Sequence, residues 1–324
     1  MLKIGLVLAG GGGKGAYEIG VWKALKELGI DKHITAVSGT SIGALNAVLF
    51  AQGDYEVAEN IWLNLTREKI LPIDNKELVK KGMMLFIGSK SLNLIKKVSP
   101  KSLEQGGLSR EGLLEIMEEH IDFKKLLTGS RTCYAACSEI PELNARYFKL
   151  NDYDEEVAKK ILCASSALPL LYESEEIQCR KYIDGGMADN VPIQPLYGEG
   201  CNIIFVVHLS RDCYIDKSKF PGARIVEIIP SEEPGGIISG VLDFSKDAIQ
   251  KRIFEGYEDA KSLIEPIMDI AKLQFQRMPF EVMESIGKNI ASKSSEVREY
   301  LMKSYKKKQN TKKDEIEDSV KENA

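Results

Sequence analysis

Residues 34–53 read ITAVSGTSIGALNAVLFAQG. Ile34 to Ser38 is a short apolar run. From Ser41 to Gln52 the chain stays apolar and uncharged until Gly53, which is placed to end a helix. The pattern predicts a buried strand, a tight turn at Gly39-Thr40-Ser41-Ile42-Gly43 and a helix. The uncharged stretch from Ile34 to Gln52 is also long enough to cross a bilayer, but Ser38, Gly39, Thr40, Ser41, Gly43 and Asn46 dilute it. Strand, turn and helix is the better reading.

The same unit precedes it. Lys3 to Ala9 is a continuous apolar run that ends in Gly10-Gly11-Gly12-Gly13-Lys14-Gly15, and Tyr17, Val21, Leu25 and Leu28 then recur at helical spacing before Gly29. Strand, glycine-rich turn and helix, twice in succession, predict an α/β fold with a parallel sheet and right-handed crossovers. Ligands then bind at the carboxyl ends of the strands, where both turns lie. Asp54 caps a further predicted helix carrying Ala58, Ile61, Trp62 and Leu65 on one face. Strands are expected at 131–138, 145–150, 177–183, 202–209 and 225–229, six or seven in all, with a helix over 154–164.

We expect an α/β domain over 1–240 with a helical insertion at about 54–130, helices packed on it over 241–305, and a charged, disordered tail at 306–324. Residues 83–97 combine Met83 to Ile87 with Lys90, Lys96 and Lys97. A lid or a peripheral membrane contact is one reading, and an insertion packed on the core is the other.

Composition narrows the class. With 324 residues, 44% hydrophobic and 28% charged, the chain is globular, and a net charge of -4 gives it no general attraction to nucleic acid. The six cysteines are scattered, with no CxxC and no histidine at zinc-site spacing. We read them as reduced core residues and expect no metal or other cofactor. The first residues lack the long apolar run and cleavage site of a secretion signal, so a cytoplasmic location is expected.

The chemistry centres on Ser41. A GxSxG turn between a strand and a helix lifts its serine to the sheet edge, and Gly39 and Gly43 keep the flanks clear. The glycine run has three readings. A P-loop needs glycine at position 8 and a hydroxyl at 15, where Leu8 and Gly15 stand. A dinucleotide fingerprint is matched by Gly10, Gly12 and Gly15, but it requires an acidic residue at the end of the second strand, which here ends Val37-Ser38-Gly39. The third reading is an oxyanion hole, with Gly11, Gly12, Gly13, Lys14 and Gly15 forming a concavity of backbone amides.

Three histidines are available as a base. His33 and His120 suit structural positions, and His208 ends a strand and would complete a Ser41, Asp184, His208 order. Asp184 ends a strand too, and the Gly185-Gly186 after it lets another backbone come close. It can serve alone if burial raises it above the usual value of about 3.9. A non-catalytic nucleotide- or lipid-binding protein is the alternative of a different class.

Together, GGGKG at Gly11 to Gly15, GTSIG around Ser41 and DGG at Asp184, with Asn190 and Pro192 downstream and ASSALP before the DGG strand, resemble the patatin-like phospholipase family over about residues 3–210. Some members carry Asp at the start of the glycine loop, where this chain has Ala9-Gly10. The resemblance implies a three-layer α/β/α fold with a mostly parallel central sheet. It also implies a Ser-Asp dyad, a glycine-rich oxyanion hole and hydrolysis of lipid acyl esters without metal.

Overall fold

The computed structural model describes residues 2–70, 72 and 106–277. Most of the 70–108 stretch, residues 83–97 included, lies outside them, as does everything from 278 onward with the 306–324 tail. Two compact units divide the chain, Met1–Ile264 and Glu265–Ala324.

Both sequence-predicted units form. Strand β1 (Ile4–Leu8) leads through the glycine loop into helix α1 (Ala16–Glu27), and β2 (Ile34–Thr40) leads through Ser41 into α2 (Ile42–Gln52). Gly53, at φ 82°, ends α2 in the left-handed conformation that glycine adopts without steric cost. Asp54 caps α3 (Tyr55–Asn64) by accepting a hydrogen bond from the Val57 amide at 3.2 Å. Three shorter or intermediate helices follow, α4 (Arg67–Ile70), α5 (Glu111–His120) and α6 (Phe123–Thr128), leading to strands β3 (Thr132–Glu139) and β4 (Asn144–Lys149). Helix α7 (Glu155–Ser165) precedes β5 (Glu175–Ile177) and β6 (Arg180–Asp184). Then come α8 (Gln194–Gly198), β7 (Ile203–Val207), β8 (Arg224–Ile228) and α9 (Lys246–Arg277).

Among the described residues one sheet holds eight strands in the order β5-β6-β3-β2-β1-β7-β8, with β4 paired to β3. The pairs β3-β2, β2-β1, β1-β7 and β7-β8 are parallel, and those involving β4, β5 and β6 are antiparallel. Alternate residues of each strand face opposite layers. Leu6 and Leu8 meet α1 and α2, whereas Val7, Ala36, Ile204 and Val206 pack with Leu196 of α8 and its neighbour Ile193.

Strand β3 orders the site. Tyr134 to Glu139 pair with β4, which takes one edge of β3. The opposite edge is shared: Thr132 to Ala136 pair with β2, and Cys137 to Glu139 pair with β6. Thr40 therefore lies opposite Ala136 and Asp184 opposite the next residue, Cys137, so β2 and β6 meet end to end where the Ser41 turn begins.

One expectation changes. The single strand expected over 177–183 is a hairpin, because Gln178 (φ 51°) and Cys179 (φ 62°) both turn in the left-handed region and fold β5 back on β6. Two-residue hairpins normally place Asn or Gly at such positions. The Gln-Cys pair carries no such signal, and the strand count rises to eight.

Helix α2 is buried almost all round, and one polar residue organises its contacts. Asn46 donates from Nδ2 to the Gly15 carbonyl at 3.0 Å and to Glu18 Oε2 at 2.7 Å, and its Oδ1 accepts from Trp62 Nε1 at 2.9 Å. It thus fastens α2 to the glycine loop, α1 and α3. Full burial holds the Glu18 carboxyl well above the usual carboxylate range, against the opposing pull of its hydrogen bond from Asn46. Among the described residues no helix is long and apolar enough to cross a membrane.

Asn46→Ala strands several buried polar groups at once and should destabilise the fold by about 2–4 kcal/mol. Chemical denaturation of the variant beside wild type measures it, and an unchanged midpoint would show that the network contributes nothing.

Candidate active site

At the junction of β2 and α2, Ser41 has φ 56° and ψ -124°, a conformation that serine rarely adopts. The turn is tight enough to demand its glycines. A Cβ on Gly39 would lie 2.0 Å from the Gly43 carbonyl oxygen, and one on Gly43 would lie 2.4 Å from that of Leu8. The strained turn aims the hydroxyl at the neighbouring strand end. Ser41 Oγ donates to Asp184 Oδ2 at 2.6 Å, with Ser41 7% and Asp184 3% exposed.

Asp184 also accepts from the Gly186 amide through Oδ1 at 2.8 Å. Burial pushes its carboxyl up to about 6, against the opposing pull of the two hydrogen bonds from Ser41 and Gly186. The sequence-based expectation of a raised carboxyl has this physical cause.

The ASSALP segment holds both partners. Ser165 Oγ accepts from the Ser41 amide at 2.9 Å and donates to the Ala136 carbonyl at 2.7 Å, and the Ala167 carbonyl accepts from the Asp184 amide at 3.0 Å. In sequence this segment carries a family resemblance but no role for its residues. Its run of small residues at the end of α7 is the available signal, because only small side chains let three backbones come so close.

Asn190 ties the DGG loop to the glycine loop. Its Nδ2 donates to the Gly10 carbonyl at 3.0 Å, and its own carbonyl accepts from the Gly10 amide at 3.2 Å. Thr40 Oγ1 donates to the Asp189 carbonyl at 2.9 Å and Ser38 Oγ to that of Pro192 at 2.6 Å, closing the same loop onto β2.

The glycine loop is closely covered. A Cβ on Gly12, at φ 56°, would lie 2.2 Å from the Val241 carbonyl oxygen, and one on Gly13 would lie 2.2 Å from that of Asp243. Arg252, itself buried, holds that covering segment by donating to the Asp243 carbonyl at 2.6 Å and to Ser239 at 3.0 Å. The Lys14 amide donates to the Gly11 carbonyl at 3.2 Å, so it is spent within the loop. The amides of Gly11, Gly12 and Gly13 have no backbone acceptor among the described residues. Lys14's side chain is buried against Gly240, and desolvation lowers its ammonium below the usual lysine range.

His208 stands apart from the pair. Its Nε2 lies 3.1 Å from Glu227 Oε2, and desolvation holds the imidazole below its ordinary value. Ser41, Asp184 and the glycine loop come together, and His208 faces β8 instead.

A family model for patatin-like phospholipases matches residues 6–197. The chain belongs to the patatin-like phospholipase family. Among curated relatives of this patatin-like chain, lysophospholipase nte1 of Aspergillus terreus is 25% identical over 208 residues, 63% of the chain but 12% of the fungal protein. An NTE family protein of Mycobacterium bovis is 24% identical over 209 residues, 64% of the chain and 49% of that protein. The match thus spans half or less of either relative. The crystal structure of VipD from Legionella pneumophila superposes with a TM-score of 0.49 at 15% identity, covering 82% of this chain and 67% of that one. For human GIVD cytosolic phospholipase A2 the values are 0.44, 9%, 85% and 60%.

A carboxyl near 6 in the fold and about 4 in the unfolded chain binds an extra proton when folded, so stability falls as pH rises through that window. At neutral pH the cost is on the order of 3 kcal/mol. Asp184→Asn should therefore raise the thermal midpoint at pH 7 and narrow the difference at pH 4. A midpoint lowered equally at both pH values would contradict the burial argument.

Proposed function

We propose that this protein is a serine acyl-hydrolase acting on lipid esters, of the phospholipase A or lysophospholipase kind. The observation that carries the reading is the 2.6 Å hydrogen bond from Ser41 Oγ to Asp184 Oδ2 at a strained strand-to-helix turn. Ser41 Oγ attacks the ester carbonyl carbon while Asp184 takes the hydroxyl proton. The oxyanion is met by the amides of Gly11, Gly12 and Gly13, since those of Ser41 and Lys14 are occupied by Ser165 and Gly11. Asp184 returns the proton to the departing alcohol and leaves an acyl group on Ser41. Water then gives a proton to Asp184, attacks the acyl carbon and frees the acid.

Lipid is favoured over a small polar ester by membership of a phospholipase family and by the wall beside the nucleophile. Ile42, next to Ser41, begins an apolar hollow of about 40 Å³ that continues past Leu45, Leu49, Trp62, Leu113 and Met117. These side chains suit the first methylenes of an acyl chain.

Ser41→Ala should lower ester turnover by several orders of magnitude, about 10^6 being the cost of losing a serine nucleophile in a well-studied protease. It should also abolish labelling by a fluorophosphonate. Retained turnover or labelling would refute the assignment.

Since Asp184 must be ionised to act, kcat/KM should fall about tenfold per pH unit below roughly 6. A profile flat down to pH 5 would mean that another group is the base. Leu45→Trp, which fills the hollow, should depress turnover of long-chain esters more than that of acetyl or butyryl esters. Equal loss on both would remove the hollow from acyl recognition.

A further inference from the structure

At the carboxyl ends of β7 and β8, His208, Cys213 and Glu227 bring one ligand atom each to within 4.8 Å of one another. We propose that these three residues form a binding site for a divalent zinc-class cation. His208 follows the last residue of β7 and is 1% exposed, so its ring is held firmly, and its Nε2 lies 3.1 Å from Glu227 Oε2. Glu227 has its other oxygen, Oε1, on Lys217 Nζ at 2.8 Å, which leaves Oε2 directed at the histidine. Cys213 lies on the loop between the two strands and lines a cavity of about 570 Å³ together with His208, Ser210, Asp212 and Asp216.

An imidazole, a thiol and a single carboxylate oxygen are the donor set of zinc rather than of calcium or magnesium, which take oxygen ligands. Tetrahedral zinc with a thiolate and an imidazole brings sulfur and nitrogen to about 3.5 Å from each other. Closing from within 4.8 Å to that spacing requires movement of at most about 1.3 Å. His208 binds through Nε2 as the neutral imidazole with its single hydrogen on Nδ1, Glu227 binds through Oε2 as the carboxylate, and the Cys213 thiol releases its proton to solvent. The cavity leaves the fourth position open to water. Spacing along the sequence gave no sign of this site, because its residues come from two strand ends and a loop.

The site can be tested with the full-length, reduced protein, stripped of metal by a chelator and titrated with Co²⁺. One equivalent should produce the near-ultraviolet charge-transfer absorption of a cobalt thiolate, displaced by Zn²⁺, and Zn²⁺ should raise the thermal midpoint by mass action. Cys213→Ser, on a partly exposed loop, should retain the far-ultraviolet circular dichroism of wild type and lose both effects. Glu227→Gln should weaken binding by roughly tenfold or more. Ser41→Ala should bind as wild type does, because the site is separate from the nucleophile. Absence of the thiolate band, or its persistence in Cys213→Ser through another cysteine such as the exposed Cys179, would overturn the proposal.

Discussion

The contact between Ser41 and Asp184 depends on one edge of β3. That edge accepts β2 as far as Ala136 and β6 from Cys137 onward, so two strands far apart in sequence end against each other with no gap in register. Backbone hydrogen bonding sets the spacing along β3, and the side chains at the junction inherit it. A slip of one residue in either pairing would turn Asp184 or the Ser41 turn toward the opposite face.

The geometry so produced is costly by itself. Ser41 occupies a backbone region that disfavours any side chain, and Asp184 is a carboxylate taken out of water. Both are held by their surroundings. Ser165 and Ala167 tie them to the last residue of α7 and the segment after it, and α2 is fastened through Asn46 to the glycine loop, α1 and α3. Rigidity at the site comes from buried polar groups with directional partners, set in a core that is otherwise apolar.

The glycine loop answers to packing as well as to chemistry. Gly12 and Gly13 have no room for a Cβ beneath Val241 and Asp243, so glycine would be needed there even if no oxyanion were ever bound. The segment over 237–243 is consequently part of how the loop is shaped, and Arg252 is the residue that keeps it in place. Chemistry and packing select the same residue type at these positions.

The parts of this molecule that were legible in the sequence are those built from neighbours. Strand, glycine turn and helix from Lys3 to Gly29 and again from Ile34 to Gly53 are written in apolar periodicity and in glycines, because short-range sterics govern them. The ends of the strands bearing Ser41 and Asp184 were legible for the same reason. Local pattern was silent on the Gln178-Cys179 hairpin, whose two left-handed residues are of types that do not favour that conformation; the antiparallel pairing of the edge strand β5 with β6 holds it. It was silent as well on Ser165 as the partner of the Ser41 amide, on Asn46 and Glu18 as a buried network, and on His208, Cys213 and Glu227 as one cluster. Each of these is a meeting of residues from separate elements. Sequence by itself determined which elements form and which residues stand at their ends, and tertiary structure alone decided which ends meet, because the order of strands in a sheet is a long-range choice that no local pattern encodes.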